Sequence, residues 1–391
     1  MTANKTLIHQ LDTTHHLSAA QWHTLLDTHT PDDDHLLTDL ARKTAQEQFG
    51  KKIYMRGLIE FTNYCKNDCY YCGIRCSNHH AQRYRLSQND ILACCEEGYT
   101  LGFRTFVLQG GEDAGIPDEE LCQIITAIKQ RYPDCAVTLS VGEREHAVYQ
   151  SFFDAGADRF LLRHETADAA HYQILHPPVL TAEHRKVCLW DLKKIGFQVG
   201  AGFMVGSPGQ SHETIVKDLL FLQELQPHMV GIGPFLPHRE TPFHAHPAGS
   251  TELTLFLLSC VRLMLPHVLL PATTALGTAA SNGREQGILA GANVVMPNLS
   301  PQSVRKKYML YDNKVCTGDE SAQAVSHLKQ SLAAIGYELS TDRGDSPLMQ
   351  TQKRSPNLCT IQNLSMPRIS SMMKKFWNPS SGQKKTKTTK R

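Results

Sequence analysis

Three closely spaced cysteines constrain this chain more than any other feature of its sequence. Cys65, Cys69 and Cys72 lie in the run FTNYCKNDCYYCG with the spacing C-x3-C-x2-C. Three thiolates on one loop can hold three irons of a cubane cluster, whereas such clusters usually take four cysteine ligands. The fourth iron then has no protein ligand, so the spacing indicates a metal centre with one position open to a small molecule.

The spacing alone leaves two other interpretations of these cysteines open. Cys76 could complete a structural zinc site, although closed zinc sites usually combine two short pairs separated by a longer spacer. The thiols could also be reduced side chains without a metal, since the chain contains 12 cysteines. The cluster is the favoured interpretation, and Cys76 is expected to be a bystander.

The composition is typical of a folded protein that neither crosses a membrane nor binds nucleic acid. Of the 391 residues, 41% are hydrophobic and 20% are charged. No stretch reaches the about 18 uninterrupted apolar residues of a membrane span. The N-terminus lacks an apolar signal core and is not Arg-rich, and the cysteine usage suits a reducing compartment, so a cytoplasmic location is expected.

Apolar runs alternate with helical patterns along most of the chain. Eight candidate strands are mainly short, continuous apolar runs, which is typical of parallel strands covered on both faces. They span residues 53–61, 105–109, 136–141, 159–163, 199–205, 229–234, 268–273 and 293–296. With seven helical connections between them, they predict an α/β fold, a complete (β/α)8 TIM-type barrel. A partial barrel of six strands is the alternative.

The pattern predicts four parts along the chain. Residues 1–50 form an N-terminal helical segment that packs on the barrel, and residues 51–300 form the barrel itself. Residues 301–345 are the C-terminal part of the same domain. Residues 346–391 are a basic tail, with ten Lys or Arg and no Asp or Glu from residue 348 onward. We expect this tail to be disordered rather than a nucleic-acid-binding segment.

The cysteine loop resembles the signature of radical S-adenosylmethionine (SAM) enzymes. In that superfamily the open iron binds the amino and carboxylate groups of SAM, and one electron cleaves the sulfonium bond to give methionine and a 5′-deoxyadenosyl radical. The segments VLQGGED, AGADRFLLRHETA, GAGFMVGSPGQ and GREQGILAGANVVMPN are similar to those of the HydE family of FeFe-hydrogenase maturases. The resemblance covers about residues 20–340. Biotin synthase and methylornithine synthase are similar more distantly.

The resemblance to the HydE family implies roles for individual residues. The cluster ligands of the family match Cys65, Cys69 and Cys72. The positions that bind SAM in the family match Tyr71, Gln109, Ser140, Glu165, Arg185 and Met204. The substrate pocket of the family matches Thr138, Arg163, Thr273, Thr274, Tyr308 and Tyr311. Packing alone explains Arg163 least well, because an inward arginine on a barrel strand is costly unless it is paired or ligand-bound.

Some family members bind a second, auxiliary cluster through the spacing C-x7-C-x2-C. In this chain Cys316 fits the first position, but the next two positions are Ala324 and His327. One thiol cannot hold such a cluster, so we expect a single 4Fe-4S cluster together with SAM, and no auxiliary cluster.

The resemblance also implies a substrate and partners. The substrate would be a cysteine-ligated iron complex carrying carbon monoxide and cyanide, an Fe(CO)2(CN) precursor of the hydrogenase two-iron subunit. HydG and HydF-type maturases and an electron donor would be the partners, with no nucleic acid or membrane. Two alternatives stay open: another reaction of the superfamily, such as a methylornithine synthase-type mutase, and a zinc-binding module without enzymatic activity.

One cubane cluster and no auxiliary site predict an iron content of about four per chain in anaerobically purified protein. Iron and acid-labile sulfide analysis measures this number. A count of six to eight irons would show that an auxiliary site exists, and zinc without labile sulfide would favour the zinc-binding module.

Overall fold

The computed structural model describes residues 2–315 and 321–349. Cys316 and the tail from residue 350 onward lie outside the described residues, so the predictions made for them are not addressed by the structure.

Three N-terminal helices are followed, from residue 52 onward, by strands interspersed with helices. The helices are α1 (Ala3–Thr14), α2 (Ala19–Thr28), α3 (Pro31–Phe49), α4 (Gln88–Thr100), α5 (Asp118–Arg131), α6 (His146–Asp154), α7 (Ala169–Leu175), α8 (Ala182–Ile195), α9 (His212–Leu225), α10 (Thr251–Met264), α11 (Thr274–Ala279), α12 (Gly283–Leu289), α13 (Gln302–Arg305) and α14 (Ser321–Ala334). The strands are β1 (Lys52–Met55), β2 (Gly57–Thr62), β3 (Thr105–Gly110), β4 (Ala136–Ser140), β5 (Arg159–Leu161), β6 (Gln198–Ala201), β7 (Met204–Val205), β8 (Met229–Val230), β9 (Gly233–Pro234), β10 (Val294–Val295) and β11 (Glu338–Ser340).

The central sheet is parallel throughout. It contains six strands in the order β2-β3-β4-β5-β6-β8. Its register aligns Glu60 with Gln109 and Gln109 with Ser140. Most of the helices between these strands return the chain to the start of the next strand, which confirms the predicted α/β class with a parallel sheet.

The predicted closed barrel of eight strands is not present as one continuous sheet in the described residues. Single parallel bridges join Met229 to Leu269, Pro271 to Val294 and Leu58 to Asn298. The predicted strand 268–273 is therefore reduced to isolated bridges at Leu269 and Pro271. Pro271 has no backbone N–H to donate, and the chain then turns, because Thr273 caps α11.

Several other predicted strands are divided by the structure. The run 53–61 is split into β1 and β2 at Arg56, because β1 pairs with β10 and β11 while β2 pairs with β3. The runs 199–205 and 229–234 are each split into two short strands, and β7 and β9 form a separate pair. The second halves of these two runs, β7 and β9, therefore pair with each other and not with the main sheet.

The N-terminal helices pack on α9 and α10. Side chains at helical spacing, including Ile8, Leu11, Trp22 and Leu37, are buried in the main hydrophobic core. Ser18 and Thr30 begin α2 and α3 with capping boxes, which satisfy backbone donors of the first turn. Within the described ranges, every helix is too short or too polar to cross a membrane.

The buried His228 gives the fold a pH-dependent stability. Its Nδ1 accepts the backbone N–H of Val199 at 3.0 Å, and burial lowers its pKa from 6.5 to about 4. The folded state therefore resists protonation that the unfolded state accepts. This contribution is complete above pH 6.5 and is lost as the pH falls from 6.5 to about 4, with a full size of about 3 kcal/mol.

We expect His228→Asn to flatten the dependence of unfolding free energy on pH between 4.5 and 7, because the amide oxygen can accept the same hydrogen bond without titrating. Urea unfolding at several pH values measures this dependence. The exposed His267 provides the control variant His267→Asn, which should keep the wild-type profile. If the unfolding free energies of wild type and His228→Asn changed equally with pH, His228 would not be the source of the pH dependence.

Candidate functional site

The cysteine loop leaves the carboxyl end of β2 and returns at Arg85, which bridges back to Thr62. Within it, the Arg83 guanidinium donates to the carbonyl oxygens of Ile74 at 2.8 Å and Asn78 at 3.1 Å. The Asn63 side chain donates to the carbonyl of Lys307 at 2.7 Å. These bonds hold the loop carbonyls in fixed directions and define the shape of the loop.

The three predicted cluster cysteines are half-buried, and Cys76 is exposed. Burial and the neighbouring thiols raise the pKa of Cys69, and burial together with Cys65 raises the pKa of Cys72 to about 12. Ionising all three thiols thus requires nearby positive charge. Iron ions supply such charge to cysteine thiolates, and the donor set therefore fits an iron–sulfur cluster.

The cysteine loop does not have the compact donor arrangement of a zinc site. A tetrahedral zinc ion brings its sulfur ligands to about 4 Å from one another. In the described part of the chain, the single group of three or more metal-binding side chains whose donor atoms lie within 4.8 Å of one another is elsewhere, at Glu143, His184 and Cys188. Wider spacing suits a cluster in which each thiolate binds a different iron.

The end of β3 lies directly against the cysteine loop. A Cβ atom on Gly111 would lie 2.2 Å from the carbonyl oxygen of Tyr64, so the close approach requires glycine. Asp113 accepts hydrogen bonds from Thr62 Oγ1 at 2.6 Å and from Arg85 Nε at 2.7 Å. The QGGED run therefore fixes the cysteine loop to the sheet edge.

Tyr71 is held by a histidine that the sequence did not single out. Its hydroxyl lies 3.2 Å from His176 Nε2, and His176 Nδ1 lies 3.0 Å from the carbonyl of Tyr172. Burial lowers the pKa of His176 to about 3, so the imidazole is neutral. A neutral ring must donate from Nδ1 to the carbonyl and accept the Tyr71 hydroxyl at Nε2. Tyr71 also packs against a group of buried apolar side chains that includes Met204.

Arg185 is buried and lies beside the cysteine loop rather than on the protein surface. Its Nη1 donates to the carbonyl of Arg163 at 2.7 Å, and its Nε donates to Glu143. Glu143 is a second residue missed by the site prediction, although the run LSVGE ends on it. Gly142 before it has φ +78°, and a Cβ there would collide with Glu112. Arg185 and Glu165 both act electrostatically on Cys69.

Glu165 has a backbone conformation that is unusual for a side-chain-bearing residue. Its φ is +63°, and such strained residues often occur at functional sites. The next turn is anchored by Asp218, which accepts the N–H of Ala167 at 2.5 Å and lies 3.3 Å from His164 Nε2. Glu165 Oε2 lies 3.0 Å from Arg163 Nη2. The two side chains therefore form an ion pair at the carboxyl end of β5.

Two predicted pocket residues carry buried polar atoms without hydrogen-bond partners among the described residues. They are Thr138 Oγ1 and Nε of Arg163, whereas Nη2 of Arg163 faces Glu165 Oε2. Such buried donors are costly unless a ligand satisfies them, so these two residues fit an anionic or polar ligand.

The remaining predicted residues are placed as follows. Gln109 donates to Tyr308 Oη at 3.4 Å, and Tyr308 belongs to the buried apolar group against which Cys72 packs. Ser140 is half-buried at the end of β4. Thr273 caps α11, while Thr274 and Tyr311 are half-buried. The role of each residue remains a prediction.

A buried ion pair ties the loop that carries Tyr308 to β2. Lys314 contacts Glu60 and donates to the carbonyl of Tyr308 at 3.0 Å. Glu60 also accepts from Asn298 Nδ2 at 2.9 Å. Glu60 is 1% exposed and Lys314 is 8% exposed. No motif marks Lys314 in the sequence, since its partner lies more than 250 residues away.

Comparisons with known proteins place the chain in one enzyme superfamily. Residues 59–222 match the model of the radical SAM superfamily. The chain is 39% identical over 308 residues to the FeFe-hydrogenase maturase subunit HydE of Thermotoga maritima, covering 79% of this chain and 88% of the relative. It is 27% identical to the 3-methylornithine synthase of Methanosarcina acetivorans, over 80% of this chain and 88% of that protein. The crystal structure of methylornithine synthase (PylB) has a TM-score of 0.76 and 26% identity, over 85% of this chain and 97% of that one.

The fold and the cysteine loop define a radical SAM enzyme, a class that uses a 4Fe-4S cluster and SAM. The identity and coverage then specify the family within that class. The chain belongs to the HydE family of FeFe-hydrogenase maturases.

We expect Lys314→Met to lower the free energy of unfolding by about 3 kcal/mol, because it leaves the Glu60 carboxylate buried without a cation. Denaturant unfolding under anaerobic conditions measures the loss. The double variant Glu60→Gln/Lys314→Met should recover at least half of it, since both charges are then absent. A change below about 0.5 kcal/mol for Lys314→Met would show that the pair does not form.

Proposed function

We propose that this enzyme acts in assembly of the FeFe-hydrogenase cofactor, with one 4Fe-4S cluster held by Cys65, Cys69 and Cys72. The observation that carries the proposal is the meeting of three thiols with Arg185 and Glu165 at one edge of the sheet, in a chain of the HydE family. When bound, such a cluster supplies an open iron for SAM and one electron for cleavage of its sulfonium bond.

The chain's own residues would bind and orient SAM. We assign its carboxylate to Arg185, since a guanidinium recognises carboxylates with fixed geometry, and its ammonium group to Glu165. Tyr71, kept in place by His176, would lie against the adenine, with Met204 packed beside it. Gln109 and Ser140, adjacent on neighbouring strands, would bind the remaining polar groups. Glu143 would position Arg185.

We propose that the substrate is an iron complex with carbon monoxide and cyanide ligands. The unsatisfied donors of Thr138 and Arg163 support this assignment, because they can donate to a cyanide nitrogen or another anionic group. Thr273, Thr274, Tyr308 and Tyr311 would complete the pocket. HydG would supply the complex, a HydF-type maturase would receive the product, and a separate donor would supply the electron.

We further propose that residues 51–300 complete a (β/α)8 ring around this site, with residues 1–50 and 301–345 packed against it. The three single bridges beyond the six-stranded sheet support a ring. A closed ring would exclude water from reactive intermediates. The cysteines in the described part of the chain are free thiols, which supports action in a reducing cytoplasm.

A second candidate function is a carbon-skeleton rearrangement of the methylornithine synthase type. Its support is the 27% identity to the Methanosarcina acetivorans enzyme. Deletion of the gene discriminates between the two candidate functions. Loss of active FeFe-hydrogenase would support the maturation function, whereas unchanged hydrogenase activity would exclude the maturation function.

We expect Cys69→Ser to abolish reductive formation of 5′-deoxyadenosine from SAM, because the cluster loses one of its three ligands. Chromatography of the reaction after reduction measures the product, and circular dichroism checks that the protein is folded. Cys76→Ser, in the same loop but on an exposed thiol, is the matched control and should retain activity. Product formation by Cys69→Ser at the wild-type rate would refute the loop assignment.

A further inference from the structure

A second group of metal-binding side chains lies outside the cysteine loop. Glu143, His184 and Cys188 bring one carboxylate oxygen, one imidazole nitrogen and one thiol within 4.8 Å of one another. His184 and Cys188 are four residues apart on α8, so both project from one face of the helix. Glu143 reaches them from the loop after β4. Two separate elements thus supply three different donor types to one point.

The separations are close to those of a tetrahedral site. His184 Nδ1 lies 2.8 Å from Glu143 Oε2 and 3.9 Å from Cys188 Sγ. Zinc bonds of 2.0–2.3 Å place tetrahedral donors about 3.4 to 3.6 Å apart. Small side-chain movements, outward for the carboxylate and inward for the thiol, would therefore give a central ion all three ligands.

The two oxygens of Glu143 have different partners. Oε1 accepts from Arg185, whereas Oε2 faces His184. An ion on Oε2 would therefore leave the Arg185 contact in place. The His184 side chain is 53% exposed, which gives the ion a route from solvent and leaves a fourth position for water. The thiolate, together with the carboxylate that Glu143 shares with Arg185, would supply negative charge to the ion.

We propose that Glu143, His184 and Cys188 form a binding site for a divalent ion of the zinc class, distinct from the iron–sulfur site. The nitrogen and sulfur donors select zinc over magnesium or calcium, which prefer oxygen ligands. Three protein ligands and one open position distinguish this site from closed structural zinc sites, which take four protein ligands. A bound ion would join the β4 loop to α8. The proposal does not depend on the substrate of the enzyme.

The test uses full-length protein whose iron–sulfur cluster has been reconstituted, with Zn²⁺ alone as the probe. After removal of loosely bound metal, we expect about one zinc per chain in addition to the iron. X-ray absorption at the zinc edge sees zinc without interference from iron. It should show one sulfur at about 2.3 Å and nitrogen or oxygen ligands at about 2.0 to 2.2 Å.

Equilibrium dialysis of variants locates the site. His184→Ala and Cys188→Ser should each weaken zinc binding at least tenfold. His184 is exposed, so its variant keeps the test valid if Cys188→Ser does not fold. His146 is the matched control: it has similar exposure and lies 3.6 Å from Asp191, but it belongs to no three-donor group in the described ranges. His146→Ala should bind zinc like the wild type.

Three results would overturn the proposal. The first is wild-type affinity in His184→Ala. The second is a zinc spectrum with two or more sulfur ligands, which would place the ion on the cysteine loop. The third is no zinc retained by the reconstituted wild-type protein.

Discussion

The parallel direction of strands β2 to β6 is the constraint on which the rest of the structure depends. Strands that run the same way end at the same edge, and the loop or residue after each strand then faces its neighbours. The cysteine loop follows β2, Gly111 follows β3, Glu143 follows β4, and Glu165 follows β5. Residues more than 100 positions apart in sequence come together because of this shared direction. The thiols and the charged side chains of the site are therefore neighbours.

Bringing charged groups together at a buried edge has a cost that the structure offsets by pairing. Arg185 donates to Glu143 and to a backbone carbonyl, and Lys314 contacts the otherwise enclosed Glu60. Each pair lies at the junction of two chain segments. A buried charge without its partner is strongly destabilising, so these contacts also define how the segments are joined. The site geometry and the stability of the fold therefore rest on the same residues.

The cysteine loop illustrates how hydrogen bonds within the protein define the shape of a site. Arg83 holds loop carbonyls, and the loop backbone donates from Gly73 to Leu310 at 2.8 Å. A neutral His176 fixes the Tyr71 hydroxyl. Because these contacts are made by the protein itself, they hold the side chains of the site in defined positions.

The sequence by itself determined the spacing of Cys65, Cys69 and Cys72, the parallel α/β class and the family, because local spacing and hydrophobic pattern are properties of neighbouring residues. It did not determine that 268–273 forms only isolated bridges, or that Arg56 divides the first strand between two sheets. Nor could it identify Glu143, His176 and Lys314 as partners of Arg185, Tyr71 and Glu60. Those outcomes depend on which distant backbone segments meet and which buried polar atoms must then be satisfied, and only the tertiary structure decides that.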